Sequence, residues 1–223
     1  MPSIQKTLCL DGVSLTLGLR RLIGPLTLKV GEGEIVTVMG PSGSGKSALL
    51  NFICGTLESA FEASGEVVLN GRRLNLLAVE QRRVGILFQN DLLFPHMSVG
   101  ENLMFGLPAN VQGRHERHLR VDQALMEAGL EGFAARNPAT LSGGQRARVA
   151  LMRVLLSEPE ALLLDEPFGA LDTSLRAQFR SFVFDHARQR GLPTLLVTHD
   201  HEDAAASNGQ VIDLLQNQSE TKA

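Results

Sequence analysis

The sequence predicts an α/β fold built on a mainly parallel sheet, with an antiparallel β segment ahead of it and a helical segment inserted into it. Three patterns carry that prediction. Short, almost wholly apolar runs recur late in the chain, Ala161-Leu162-Leu163-Leu164 and Thr194-Leu195-Leu196-Val197-Thr198, and stretches with helical spacing separate them. Strands buried on both faces and spaced by helices belong to parallel sheets. Residues 8–29 alternate instead (Val13, Leu15, Leu17; Leu26, Leu28), with Gly12, Gly18, Gly24 and Pro25 as punctuation, as antiparallel strands with one buried face do. From 98 to 141 strand patterns give way to helical ones.

Taken in order, Glu34-Ile35-Val36-Thr37-Val38-Met39 predicts a strand, and Ser47-Ala48-Leu49-Leu50-Asn51-Phe52-Ile53 a helix beyond a Gly-rich turn. Residues 65–71 read as a hairpin turning at Asn70-Gly71, a dipeptide suited to positive φ. Val84-Gly85-Ile86-Leu87-Phe88 is another strand. Ser98 and Glu101 have capping-box spacing, and residues 121–130 carry apolar positions at helical intervals. A helical subdomain over about 97–141 is expected within a single domain spanning 1–223. Residues 147–156 and 174–190 read as helices, 161–164, 194–198 and 211–214 as strands, and 216–223 as a disordered tail.

The 223 residues are 43% hydrophobic and 20% charged with a net charge of −3, enough apolar content for a sizeable core. Basic residues are spread rather than stacked, which disfavours a grip on long nucleic acid. No run approaches the ~20 apolar residues needed to cross a bilayer, and the first residues lack the apolar core of a signal peptide. Cys9 and Cys54 stand far apart among apolar neighbours, so they are expected to be reduced, buried and structural. His115 and His118 stand at i, i+3, but Arg114, Arg117 and Arg120 beside them favour a solvated helix face over a metal site. Arg82 and Arg83 before a strand are expected at a surface edge.

Chemistry concentrates in three places. Gly40-Pro41-Ser42-Gly43-Ser44-Gly45-Lys46-Ser47 fits G-x-x-x-x-G-K-[ST] between a strand and a helix. Its glycines allow successive N–H groups to converge at a helix N-terminus, so phosphate is the natural ligand, with Lys46 on the β- and γ-phosphates and Ser47 on Mg²⁺. Asp165 and Glu166 end the apolar run 161–164; neighbouring strand residues point opposite ways, so Asp165 suits the Mg²⁺ shell and Glu166 an attacking water. Leu141-Ser142-Gly143-Gly144-Gln145 precedes a helix expected to start near Arg146, implying a second anion site.

In these motifs the chain resembles the nucleotide-binding subunits of ABC transporters, whose signature is LSGGQ. The resemblance implies a P-loop NTPase fold of the ABC ATPase type, and hydrolysis of ATP with Mg²⁺. It implies that two subunits stack head to tail, one lending Lys46 and the other Ser142, Gly143, Gly144 and Gln145 to each ATP. It assigns Gln89 to Mg²⁺ and water, Asp172 to the dimer seam and His199 to the γ-phosphate. His199 without it would read as an ordinary strand-end histidine.

Two positions depart from the pattern. Leu17 holds the register where similar proteins place an adenine-stacking aromatic, and the chain has neither Trp nor Tyr. A missing stack, ~1–3 kcal/mol for comparable base contacts, implies only modest discrimination between ATP and GTP. Ala48 replaces a hydroxyl often found near the α-phosphate, a loss of ~1.5–3 kcal/mol at most.

Work must be delivered elsewhere, because the chain has no solute path. Apolar residues 90–97 would form the docking region for a membrane-spanning permease, and Phe168-Gly169-Ala170-Leu171-Asp172 resembles bacterial importers of small solutes. The implied location is the cytoplasmic face of the inner membrane, with a solute-binding protein reached through the complex and no nucleic acid. Ending at Ala223, the chain is expected to lack a C-terminal regulatory domain. The alternatives are an ABC ATPase acting on nucleic acid or ribosomes, or a nucleotide-dependent dimerisation module. The first lacks its coiled coil, Cys clusters or repeated cassette here; the second would predict a changed Glu166 or His199.

Overall fold

The computed structural model describes residues 6–214. The tail at 216–223 and the first five residues fall outside that range. The chain divides into two compact units, one from the stretches up to Ile86, Glu160–Glu166 and Phe184 onward, the other from Leu87–Pro159 and Pro167–Val183.

In the first unit, β1 (Leu8–Leu17) and β2 (Arg20–Val30) form an antiparallel hairpin, and β4 (Phe61–Leu69) pairs with β1 on its other edge. A short β5 (Arg72–Arg73) follows the Asn70-Gly71 turn, where both φ angles are positive. Register shifts near Gly12 interrupt β1, and Gly65 crosses that bulge so closely that a Cβ there would sit 2.6 Å from the Gly12 carbonyl oxygen. Only glycine fits.

The second sheet holds β3 (Ile35–Met39), β6 (Val84–Leu87), β7 (Ala161–Asp165), β8 (Thr194–Thr198) and β9 (Val211–Asp213), in the order β6-β7-β8-β3-β9. The pairs β7 with β8, β8 with β3 and β3 with β9 are parallel. Both β3 and β8 are buried along their whole length, which explains their unbroken apolar sequence. One core joins the sheets: Leu8, Leu10 and Val13 of β1, Val36 and Val38 of β3, Leu163 and Leu195, and Leu49, Leu50 and Ile53 of helix α1 (Lys46–Cys54).

The second unit is mainly helical, with α2 (Val99–Gly106), α3 (Arg114–Glu127), α4 (Gly143–Leu156) and the first part of α5 (Thr173–Gln189). Ser98 and Glu101 form the expected capping box on α2. Among the described residues, no helix is long and apolar enough to cross a membrane.

Several expectations are corrected. Helix α3 includes the charged, exposed face expected of His115 and His118, supported by a Glu116–Arg120 pair at 3.0 Å, but it ends at Glu127, short of the 130 that the apolar spacing reaches. Helix α4 starts at Gly143, ahead of Arg146, since Ser142 caps it. A short α6 (His201–Ala206), capped by Asp200, leaves no mark in the sequence pattern because one and a half turns are too few to show a period. Cys54 is buried, and burial pushes its thiol up to about 11 against the pull of Arg82, whereas Cys9 is half-buried. Arg82 is not a surface residue: it is 9% exposed and donates to the carbonyls of Phe52, Ile53 and Leu77 at 2.9, 2.9 and 3.1 Å.

Candidate functional site

Strand β3 delivers the chain to Gly40, and α1 begins six residues later at Lys46. Gly43 and Gly45 take φ of 77° and 95°, the left-handed region that lets the loop curl back over the helix start. A Cβ on Gly45 would meet Leu22 Cβ at 3.0 Å, so β2 packs directly under the loop. No side chain caps α1, and no acidic residue lies in its first turn. Its N-terminal N–H groups and partial positive charge are open to an anion. Ser44 Oγ is buried with no hydrogen-bond partner among the described residues, and Pro41 and Ser42 are exposed on the rim.

Lys46 is 5% exposed and its ammonium donates to the carbonyls of Gly40 and Pro41 at 2.8 and 3.0 Å. Its third neighbour is Glu166 Oε1 at 3.2 Å. The other carboxylate oxygen, Oε2, lies 2.9 Å from His199 Nδ1. Three residues from loop, strand end and strand end thus form one chain, Lys46–Glu166–His199. Glu166 has left the strand: its φ is 46° and its N–H donates to the Val197 carbonyl of β8 at 3.0 Å. The two carboxylates therefore diverge through a left-handed turn, not through strand alternation.

Asp165 ends β7 and accepts from the Ser47 hydroxyl at 3.0 Å. Burial lifts its carboxyl above the ordinary range and the Glu166 charge adds to this, while Ser47 and Lys46 offset part. An oxygen pair of this kind, a hydroxyl against a carboxylate beside an open phosphate cradle, matches the hard-oxygen preference of Mg²⁺. Ala48 faces the core and brings no hydroxyl to the loop. Leu17 ends β1, 42% exposed, opposite Arg20 on one side and Phe61 on the other.

The remaining residues expected at the site from the sequence lie in the helical unit. Ser142 and Gln145 form a reciprocal capping box: Gln145 N–H donates to Ser142 Oγ at 3.3 Å, and Ser142 N–H to Gln145 Oε1 at 3.0 Å. The motif's polar side chains thus serve its own helix first, which the sequence signal S-x-x-Q could have announced. Gly144 packs 3.5 Å from Leu175 of α5, and Gly143 lies 3.6 Å from Leu171, measured to the Cβ each lacks. A hollow of about 230 Å³ opens beside Ser142, Gln145, Arg148 and Phe179. Asp172 accepts from the Leu175 N–H at 3.1 Å and the Ser174 hydroxyl at 3.0 Å, which hold its carboxyl below the usual range. Gln89 is exposed and borders a separate hollow of about 130 Å³ with Asp91, Gly143 and Arg146. His118 Nδ1 lies 2.6 Å from the Arg114 carbonyl on an exposed face.

A Gly-rich loop at an uncapped helix start, a carboxylate pair and a capped Ser-Gly-Gly-Gln turn on one chain fit a class of nucleotide hydrolases, and comparison with known proteins says which. The ABC transporter family model matches residues 23–169, and the chain belongs to that family as an ATP-binding, ATP-hydrolysing subunit of a membrane transporter. It is 49% identical over 209 residues to the uncharacterized ABC transporter ATP-binding protein YnjD of Escherichia coli (strain K12), covering 94% of this chain and 95% of that protein. It is 43% identical to the sulfate/thiosulfate import ATP-binding protein CysA of Nephroselmis olivacea, across 89% of this chain and 57% of that one. Similarity to the spermidine/putrescine import ATP-binding protein PotA of Oleidesulfovibrio alaskensis is also 43%, across 84% and 49%. The chain spans about half the length of these two import proteins.

Proposed function

We propose that this chain powers import of a small solute by hydrolysing ATP between two paired copies. The observation that carries the reading is the Lys46–Glu166–His199 chain beside an uncapped helix start, with contacts of 3.2 and 2.9 Å. Import rests on likeness to proteins named for sulfate/thiosulfate and spermidine/putrescine import.

The triphosphate seats on the N–H groups of residues 40–47, and Lys46 turns its third donor from Glu166 to the phosphates. That exchange frees Glu166 to polarise water, which attacks the γ-phosphorus as the bond to the β-bridging oxygen breaks. The proton passes to Glu166, ADP takes the bond electrons, and His199 and Lys46 meet the charge gathering on the γ-oxygens. Ser47 and Asp165 would hold Mg²⁺, which would supply charge neutralisation on the phosphates. Residues 142–145 of a second copy close the pocket, with Asp172 at the seam. Leu17 meets the base without a ring, so discrimination between ATP and GTP is modest.

Residues 97–141 act as a helical subdomain and, with the half-apolar stretch 90–97, receive a permease at the cytoplasmic face of the membrane, where Leu92 is 55% exposed. A solute-binding protein joins through that complex.

Glu166→Gln tests the chemistry. The variant is expected to bind ATP normally, lose turnover by about 10³-fold and accumulate as an ATP-bound dimer in size-exclusion chromatography. Near-normal phosphate release would refute the assignment. Lys46→Ala is expected to fail earlier, weakening ATP about 10–100-fold by calorimetry, the equivalent of one charged hydrogen bond.

A further inference from the structure

Arg146 lies in the first turn of α4, and its guanidinium fork is used in two directions. Nε donates to Asp91 Oδ2 at 2.8 Å, and Nη1 donates to the Leu141 carbonyl oxygen at 2.8 Å. Asp91 stands two residues after Gln89, and Leu141 immediately precedes Ser142. A single side chain therefore joins the segment that follows Gln89 to the entry of the Ser-Gly-Gly-Gln turn. The two ends face each other across open space, since Gln89, Asp91, Gly143 and Arg146 border the same hollow of about 130 Å³.

A second arginine of α4 fixes the segment's shape. Arg153 donates to the carbonyls of Leu92 and Asp91 at 2.9 and 3.3 Å, and its guanidinium carbon lies 5.3 Å from the centre of the Phe94 ring. Leu92 between them has a φ of 47°, a backbone state that a non-glycine residue keeps only when its surroundings hold it. The segment is thus held in one conformation, and Arg146 is its polar tie to the start of α4. As a half-exposed ion pair, Arg146–Asp91 contributes little by charge alone, with side chains 38% and 31% exposed. Its weight is geometric: a planar fork serves two acceptors set apart, which an ammonium on a flexible stem does poorly.

We infer that Arg146 is a positioning residue that keeps the turn 141–143 in register with the segment after Gln89, so that displacing this segment changes how Ser142 and its neighbours are presented. The inference rests on the reading of that turn as a nucleotide contact.

The test compares the full wild-type chain with Asp91→Ala, Arg146→Lys, Arg146→Ala and the Asp91→Ala/Arg146→Ala pair, each checked by thermal melting. Amide hydrogen exchange at residues 142–145 is expected to quicken about tenfold in Asp91→Ala, far from the altered position in sequence. In steady-state ATP hydrolysis, Arg146→Ala should raise KM about fivefold with little change in kcat, Arg146→Lys should lie between it and wild type, and the pair should be no worse than Arg146→Ala. Unaltered exchange at 142–145 in Asp91→Ala, or additive losses in the pair, overturns the inference. Quickened exchange with a wild-type KM in every variant supports the mechanical tie and overturns the nucleotide-contact reading instead.

Discussion

Asp165 shows at the scale of one residue what a site costs its fold. Its carboxyl, lifted by burial, prefers its proton in the folded chain more than in the unfolded one. The stabilising preference is fully present below the ordinary carboxylate range and is lost as pH rises through the raised folded value. Asp165→Asn removes this penalty while keeping an acceptor for Ser47. The variant is expected to melt higher than wild type at pH 8, with the difference shrinking toward pH 4; a constant difference across that range would contradict the stated cause. Lys46, by contrast, is buried with every donor engaged. That lysine and the carboxylate pair were legible in the sequence because a loop of fixed spacing demands them. The left-handed turn at Glu166 was not, since nothing in Asp-Glu-Pro says which way the backbone leaves a strand.

Helix α1 illustrates the element scale, because its two ends have opposite needs. Its first turn lacks any side-chain cap and stays available to phosphate. Its last turn has no basic residue of its own, and Arg82 supplies the charge from outside, on the carbonyls of Phe52 and Ile53. Arg82→Ala would take away the donor to the Ile53 and Leu77 carbonyls, while Phe52 keeps the Gly55 N–H at 3.2 Å, and is expected to destabilise the fold by about 3 kcal/mol, read from urea unfolding. A change under ~0.5 kcal/mol, the size typical of surface substitutions, would mean that water satisfies them. Existence and type of most elements followed from periodicity: β3, β7 and β8 as apolar runs, α2 from its capping box. Boundaries failed where periodicity is silent, at the start of α4 and in the short α6.

At the scale of the whole molecule, the residues of the proposed function divide between the two compact units. Lys46, Ser47, Asp165, Glu166 and His199 lie in one, Gln89, Ser142–Gln145 and Asp172 in the other. If two copies complete each ATP site, hydrolysis per chain should rise with protein concentration before reaching a plateau. ATPase assays over a hundredfold dilution series check this, and a rate per chain independent of concentration would contradict pairing.

Local sequence determined the parts of this protein that obey short-range rules. The phosphate loop needs glycine at set positions for its backbone angles, buried strands need apolar runs, and a capping box needs its residues three apart; each can be read without knowing the neighbours. Tertiary structure alone decided the partners. Arg82 became a helix cap, Arg146 a tie between Asp91 and Leu141, and Glu166 the bridge from Lys46 to His199. Apart from Arg146 with Leu141, five residues away, these contacts join residues far apart in the chain, and only the folded path of the backbone sets which charge meets which acceptor.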